Sequence, residues 1–356
     1  MKKNLKILAG ARALSILRDE GLKKESVTVV AGAAGGPKWL VLNGLDRALF
    51  SSWLDFSPHP VFLIGSSIGA WRFAAIAQGM GSGAYDRFEQ AYLAQRYSDW
   101  PTAAEVSRGT VRVMEAYLDQ AGARAVLDHP FFRLSMLAVR CRGLLSRDER
   151  YALGPAMLLA GLVNGMSRTA LKLFFSRTLL FDPRSRPPFF AKQDGLQRVP
   201  LTPENMGSAL LASGSIPLVM EGVRDLDGAA PGMYRDGGLL DYHLDIPFGD
   251  DGIVLFPHYT DSIIPGWLDK MLPWRKPDRD NIRHVVLVCP SEDFIARLPH
   301  RKIPDRDDFI LFRGSDRERV AYWEKVVAAS SILGEEFLEL VQSGAIGREA
   351  ALLEGA

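Results

Sequence analysis

Cysteine is scarce in this chain: its 356 residues include two, Cys141 and Cys289, far apart in sequence. Two isolated thiols form neither a disulfide framework nor a metal-ligand spacing, so the expectation is a reducing, cytoplasmic setting without a metal or other cofactor. An excess of charge of either sign is also missing. Lys and Arg number 43 against 42 Asp and Glu. That balance gives no electrostatic footprint for nucleic acid, and no nucleic-acid-binding motif accompanies it. Long apolar runs are lacking too. The uncharged stretch that approaches membrane length, residues 151–167, is broken by Gly154, Pro155, Gly161, Asn164 and Gly165. A spanning helix needs about 20 mostly apolar residues. Near the start, the apolar stretches 7–11 and 13–17 are split by Arg12. They are too short for a secretory core, and Leu14, Ile16, Leu17 and Leu22 read as an amphipathic helix, so export is not expected. Calcium-loop, dinucleotide and Walker patterns are absent.

What is present is ordinary globular composition, 47% hydrophobic and 24% charged, enough to bury a large core. Residues 27–31 read as the first buried strand. A small-residue loop follows, Ala31-Gly32-Ala33-Ala34-Gly35-Gly36, and Pro37 suits the first turn of a helix. Val61-Phe62-Leu63-Ile64 reads as the next strand. Residues 203–212 and 317–341 read as helices, residues 252–256 and 284–288 as strands, and residues 267–280, with two prolines among charges, as a surface loop. From Tyr85 to Arg186 helical patterning dominates. Between Arg133 and Lys192 there are eleven basic residues against three acidic ones. This segment, 85–186, is expected to be a helical insertion or cap. Apolar strands alternating with helices imply an α/β fold with a mainly parallel sheet, taken as one domain over 1–356.

The sharpest local feature is Gly65-Ser66-Ser67-Ile68-Gly69, with a strand before it and an apolar helix after it. That is the context of a nucleophile elbow, which makes Ser67 the candidate nucleophile. Acyl transfer also needs oxyanion donors and a proton acceptor. The backbone of Gly35 and Gly36 can supply the donors, because no side chain blocks the approach. Asp236, directly before Gly237 and Gly238, is a candidate acceptor, though Asp-Gly turns are common and Asp227-Gly228 and Asp251-Gly252 are further instances. His243, His258, His284 and His300 all follow Ser67, so a Ser-Asp-His order using His243 is formally available. A structural or surface histidine is the simpler reading.

Four segments in order resemble the patatin-like phospholipases, serine–aspartate lipid acyl hydrolases. Ala34-Gly35-Gly36-Pro37-Lys38 is similar to the family's G-G-G-x-[RK] loop, with Ala34 in place of a glycine and Trp39 where another glycine is usual. Gly65-Ser66-Ser67-Ile68-Gly69-Ala70 matches the elbow, Ala212-Ser213-Gly214-Ser215-Ile216-Pro217 the A-S-x-x-x-P segment, and Asp236-Gly237-Gly238 the D-G-[GA] motif. His243 and Leu244 depart from the family pattern. The resemblance implies a three-layer patatin-like α/β fold and a Ser67–Asp236 dyad. It also implies an oxyanion site at Gly35 and Gly36, an acyl-enzyme, and a lipid or acyl-ester substrate. Lys38 is then expected near a phosphate head group. The departures keep a non-catalytic lipid-binding protein open, and His243 keeps a Ser-His-Asp esterase or thioesterase open. Leu171, Leu173, Phe174, Phe175, Leu179, Leu180 and Phe181, interspersed with Arg168, Lys172 and Arg177, suit either a packed cap or peripheral contact with a membrane. Oligomeric state is not legible.

Overall fold

The computed structural model describes residues 3–190, 195–249 and 252–355. Asp251 lies outside the described residues. The strands are β1 (Leu5–Ala9), β2 (Val27–Gly32), β3 (Val61–Ser66), β4 (Phe132–Cys141), β5 (Phe175–Phe181), β6 (Gln197–Pro200), β7 (Val223–Arg224), β8 (Met233–Asp236), β9 (Ile253–Pro257), β10 (Val285–Pro290) and β11 (Ala351–Leu352). They form one sheet in the order β11-β1-β10-β9-β2-β3-β4-β5-β6, with β8 on β4 and β7 on β8. The centre, β10-β9-β2-β3-β4, is parallel. Its strands are short Val-, Ile- and Leu-rich runs, buried almost throughout, as expected where helices cover both faces. Those helices include α1 (Ala11–Glu20), α2 (Asn43–Ala48), α3 (Ile68–Ile76), α4 (Ala84–Leu93), α5 (Ala103–Tyr117), α6 (Gln120–Asp128), α7 (Arg150–Met166) and α8 (Met206–Gly214).

Three expectations need correction. Residues 27–32 form the second strand, because Leu5–Ala9 pairs antiparallel with β10 ahead of it. That run is only five residues long and directly precedes α1, so the helical pattern masks it. Residues 85–186 are not helical throughout: they also contribute β4 and β5. The apolar stretch Leu134-Ser135-Met136-Leu137-Ala138-Val139 is wholly buried between β3 and β5. With β5 in the sheet, Leu179 and Leu180 are core residues, and Leu171 and Phe175 are buried as well. The C-terminal helix is two, Asp316–Ala329 and Ser331–Gln342. Between them the Ser330 hydroxyl accepts the Gly44 N–H at 2.9 Å.

The sheet register positions the site. Strand β3 runs parallel to β4 and ends with Ser66 opposite Leu137. Strand β8 comes from the other direction and ends with Asp236 opposite Ala138. The two strands therefore meet head to head along one edge of β4, and the residues that follow Ser66 emerge beside Asp236.

Candidate active site

Ser67 sits between β3 and α3 at φ 54°, ψ −127°, a conformation that typically costs about 1–3 kcal/mol for a residue with a side chain. Its neighbours allow the turn because they have none. A Cβ on Gly65 would lie 2.3 Å from the Ala70 nitrogen, and one on Gly69 would lie 2.0 Å from the Gly32 carbonyl oxygen. The turn is locked by a residue to which sequence reasoning assigns no role. The Ser67 N–H donates to Ser213 Oγ at 3.0 Å, and that hydroxyl donates onward to the Leu137 carbonyl at 2.7 Å.

Ser67 Oγ donates a 2.7 Å hydrogen bond to Asp236 Oδ2. Both residues are buried. The other carboxylate oxygen, Oδ1, accepts the Gly238 N–H at 2.7 Å, and the Asp236 N–H is held by the Ser215 carbonyl at 2.9 Å. Burial pushes the Asp236 carboxyl above the usual carboxylate range, against the opposing pull of the Ser67 hydroxyl, the Arg306 guanidinium, the Gly238 N–H and the Lys270 ammonium. A carboxylate more basic than usual, already aligned on a hydroxyl, can take its proton.

Gly36 lines the same cavity as Ser67. Among the described residues, neither its N–H nor that of Gly35 has an acceptor. Gly36 adopts φ 57°, and a Cβ there would come within 3.1 Å of Arg306 Nε. The loop is held from behind. The Ala34 N–H donates to the Tyr242 carbonyl at 2.9 Å, and the Ala34 carbonyl accepts from the Tyr259 hydroxyl at 2.5 Å. The Tyr259 ring occupies the space that a Gly35 side chain would need.

His243 does not reach Ser67 or Asp236. Its Nε2 meets the Tyr259 hydroxyl at 2.8 Å, and its Nδ1 accepts the Ile264 N–H at 3.0 Å. Because the Tyr259 hydroxyl already donates to Ala34, the pattern requires the proton on Nε2. Burial, then the neighbouring His258 and Lys38, push the His243 pKa well below its ordinary value. Both nitrogens are engaged away from Ser67 and Asp236, which favours the structural histidine over the Ser-His-Asp alternative: this ring holds the Tyr259 hydroxyl.

Three cations stand around the site, and two of them, Arg306 and Lys270, act on Asp236. Lys38 lies with its ammonium 5.0 Å from the Tyr259 ring centroid, and burial lowers its pKa. Lys270 stands 4.1 Å above the Tyr242 ring, its pKa lowered to about 8 by burial and by Lys38 and Arg306. Arg306 lines the cavity on both the Ser67 and the Asp236 side. Sequence reasoning finds Lys38 but misses Lys270 and Arg306, which no local motif marks. The cavity beside Ser67 has a volume of ≈ 310 Å³, and Ile68, Trp71, Val106, Val113, Ile216 and Met220 make its walls mostly apolar. Among the described residues no group of three or more His, Cys, Asp or Glu gathers as a metal site, and no helix is long and apolar enough to cross a membrane.

Residues 39–244 match the family model described as patatin-like phospholipase. No curated protein matches the chain. The matched span includes Ser67, Ser213, Asp236 and His243. Gly35, Gly36, Lys38, Tyr259, Lys270 and Arg306 lie outside it.

Proposed function

The chain belongs to the patatin-like phospholipase family of lipid acyl hydrolases, and on that basis we propose that it cleaves carboxylic esters of lipids through a Ser67–Asp236 dyad. The observation that carries this reading is the 2.7 Å hydrogen bond between the two side chains, on a cavity that Gly36 also lines with an N–H lacking an acceptor among the described residues. As Ser67 Oγ bonds to the ester carbonyl carbon, its proton moves to Asp236 Oδ2. The resulting oxyanion is received by the N–H groups of Gly35 and Gly36, each such donor being worth roughly 3–4 kcal/mol. Collapse breaks the bond to the alkoxide, which takes the proton back from Asp236. Water then repeats the sequence on the acyl-enzyme, with Asp236 as base, and releases the carboxylic acid.

The apolar cavity suits the acyl chain. Lys38, Lys270 and Arg306 suit a negative group on the alcohol side, such as a phosphate. Residues 1–356 act as one α/β domain in this scheme, with α5 of the 85–186 segment walling the cavity through Val106 and Val113. The two thiols are buried and pushed up to about 12, so neither competes as a nucleophile.

The test compares fluorophosphonate labelling and hydrolysis of p-nitrophenyl esters by wild type, Ser67→Ala and Asp236→Asn. Wild type should label and turn over, Ser67→Ala should do neither, and Asp236→Asn should be strongly slowed. Undiminished hydrolysis by Ser67→Ala would overturn the assignment. Folded wild type inert toward every ester would support the lipid-binding alternative.

A further inference from the structure

Helix α7 is apolar on both sides. From Tyr151 to Met166 it carries no charged residue. Its inward face, Ala152, Leu153, Ala156, Met157 and Ala160, is buried. The outward face, Tyr151, Leu158, Leu159, Leu162 and Met166, stands exposed, Met166 at 89%. These positions follow one another at helical spacing and form a single stripe. A surface helix ordinarily turns charge to water, and one that is apolar all round belongs in a core or against lipid. Since α7 is not long and apolar enough to span a bilayer, lipid contact for this stripe means lying along a surface.

The segment 267–275 extends the stripe and joins it to the site. It is fastened to α7 by a buried polar cluster. Asp269 accepts from Asn164 Nδ2 at 2.7 Å and pairs with Arg168 at 3.1 Å, while Arg275 donates to the Asn164 carbonyl at 2.8 Å. From this anchored segment Met271 and Trp274 project into solvent, Met271 at 85%. Trp267 begins it and also lines the cavity wall around Asp236.

Charge selects the occupant. Arg147 and Arg150 precede the stripe and Lys172 follows it, all exposed. None has a carboxylate partner among the described residues. On the two segments themselves Asp148 is neutralised by Arg235 and Asp269 by Arg168, while Glu149 has no ion-pair partner among the described residues. An apolar stripe bordered by unpaired cations is complementary to an anionic lipid surface, whose acyl boundary takes the stripe and whose head groups take the charges. A protein groove matching the stripe would leave those cations unanswered. We infer that α7 and residues 267–275 form a docking face for anionic membranes, placed so that Trp267 lies between the lipid surface and Asp236.

The test uses vesicles of ether-linked lipid, either phosphatidylcholine alone or the same lipid with phosphatidylserine. Ether lipids hold no ester, so binding is read independently of the proposed hydrolysis. Wild type is compared with the triple variant Leu158→Gln, Leu162→Gln, Met166→Gln in flotation. Wild type should partition at least about tenfold more strongly onto the anionic vesicles, and the triple variant should lose about tenfold of that binding. High salt should weaken the wild-type binding. The triple variant should keep wild-type thermal stability and turnover of a short soluble ester, since its changes are all on exposed side chains. Wild type that leaves both vesicle types unbound, or a triple variant that binds as well as wild type, would overturn the inference. So would a wild-type dimer that the triple variant splits into monomers, because a second copy would then cover the stripe.

Discussion

The hydroxyl of Ser213 accepts the backbone N–H of Ser67 at 3.0 Å and ties it to Leu137 on β4. The Ser67 amide is therefore already committed, whereas Gly36 and Ile68, which line the cavity beside Ser67, have backbone N–H groups without an acceptor among the described residues. Ser213→Ala would orphan a buried N–H and remove one partner of a buried carbonyl. Such a loss costs about 1–3 kcal/mol, which chemical denaturation would read as an earlier midpoint. Release of the turn should also lower kcat roughly tenfold with little change in KM, because a small displacement of the attacking oxygen acts on the barrier more than on binding. An unchanged midpoint would show that the contact carries no weight.

Under the proposed mechanism Asp236 should link activity to pH and oppose stability. Its folded pKa is raised, chiefly by burial. Between the ordinary carboxylate pKa and the raised value the unfolded chain releases its proton first, so stability falls as pH rises through that window. Above it, the penalty of burying the charge persists. Asp236→Asn should therefore melt higher than wild type at neutral pH, and the difference should disappear in acid below the ordinary carboxylate range. The same variant should lose roughly 10²–10⁴-fold in kcat, the range of a missing general base. Wild-type kcat/KM should rise with pH along a single acid limb whose midpoint lies above ordinary carboxylates. A neutral-pH melt of Asp236→Asn below wild type would contradict this account.

Much of this site is legible in sequence because its motifs are constraints on backbone, and backbone constraints leave glycines. Gly65 and Gly69 bracket a turn that no side chain could share, and Gly237 lies where a Cβ would come within 2.2 Å of the Leu137 carbonyl oxygen. The parallel strands are equally plain, as short apolar runs between helices. What stays hidden is whatever depends on distant segments converging. Tyr259 supports the Gly35 loop from 225 residues away, and Arg306 reaches Gly36 from beyond the matched family span. Neither stands in a local pattern that would distinguish it from a core tyrosine or a surface arginine. Strand β4 is hidden for another reason. Its apolar run sits in an arginine-rich stretch between helices, and only its pairing with β3 and β5 makes it a strand.

The chain of hydrogen bonds from His243 through Tyr259 to the Ala34 carbonyl predicts a positioning role for both side chains. Tyr259→Phe removes the donor to Ala34 and should lower kcat about tenfold by loosening the loop that presents Gly35 and Gly36. His243→Ala should cost a similar factor, well short of the roughly 10²–10⁴-fold expected for a lost base. The double variant should be little worse than either single one, because both act on one network. The pH profile separates this role from base catalysis. His243 is held neutral across the working range, so neither variant should move the acid limb set by Asp236. Disappearance of a limb near the ordinary histidine pKa in His243→Ala would instead restore the Ser-His-Asp reading.

Arg306 should act on both the dyad and the substrate. Its guanidinium lowers the Asp236 pKa, so Arg306→Gln should move the acid limb of kcat/KM to higher pH. It has no ion-pair partner among the described residues, which leaves its donors free for a negative substrate group. A hydrogen bond to a charged group is worth about 1.5–3 kcal/mol, so KM for an ester bearing a phosphate should rise at least about tenfold in Arg306→Gln. KM for a neutral ester of equal chain length should stay near wild type. Arg306→Lys keeps the charge but not the planar pair of donors, and should recover the pH limb more fully than the KM. Equal changes in KM for both esters would mean that Arg306 shapes the cavity wall without reading charge.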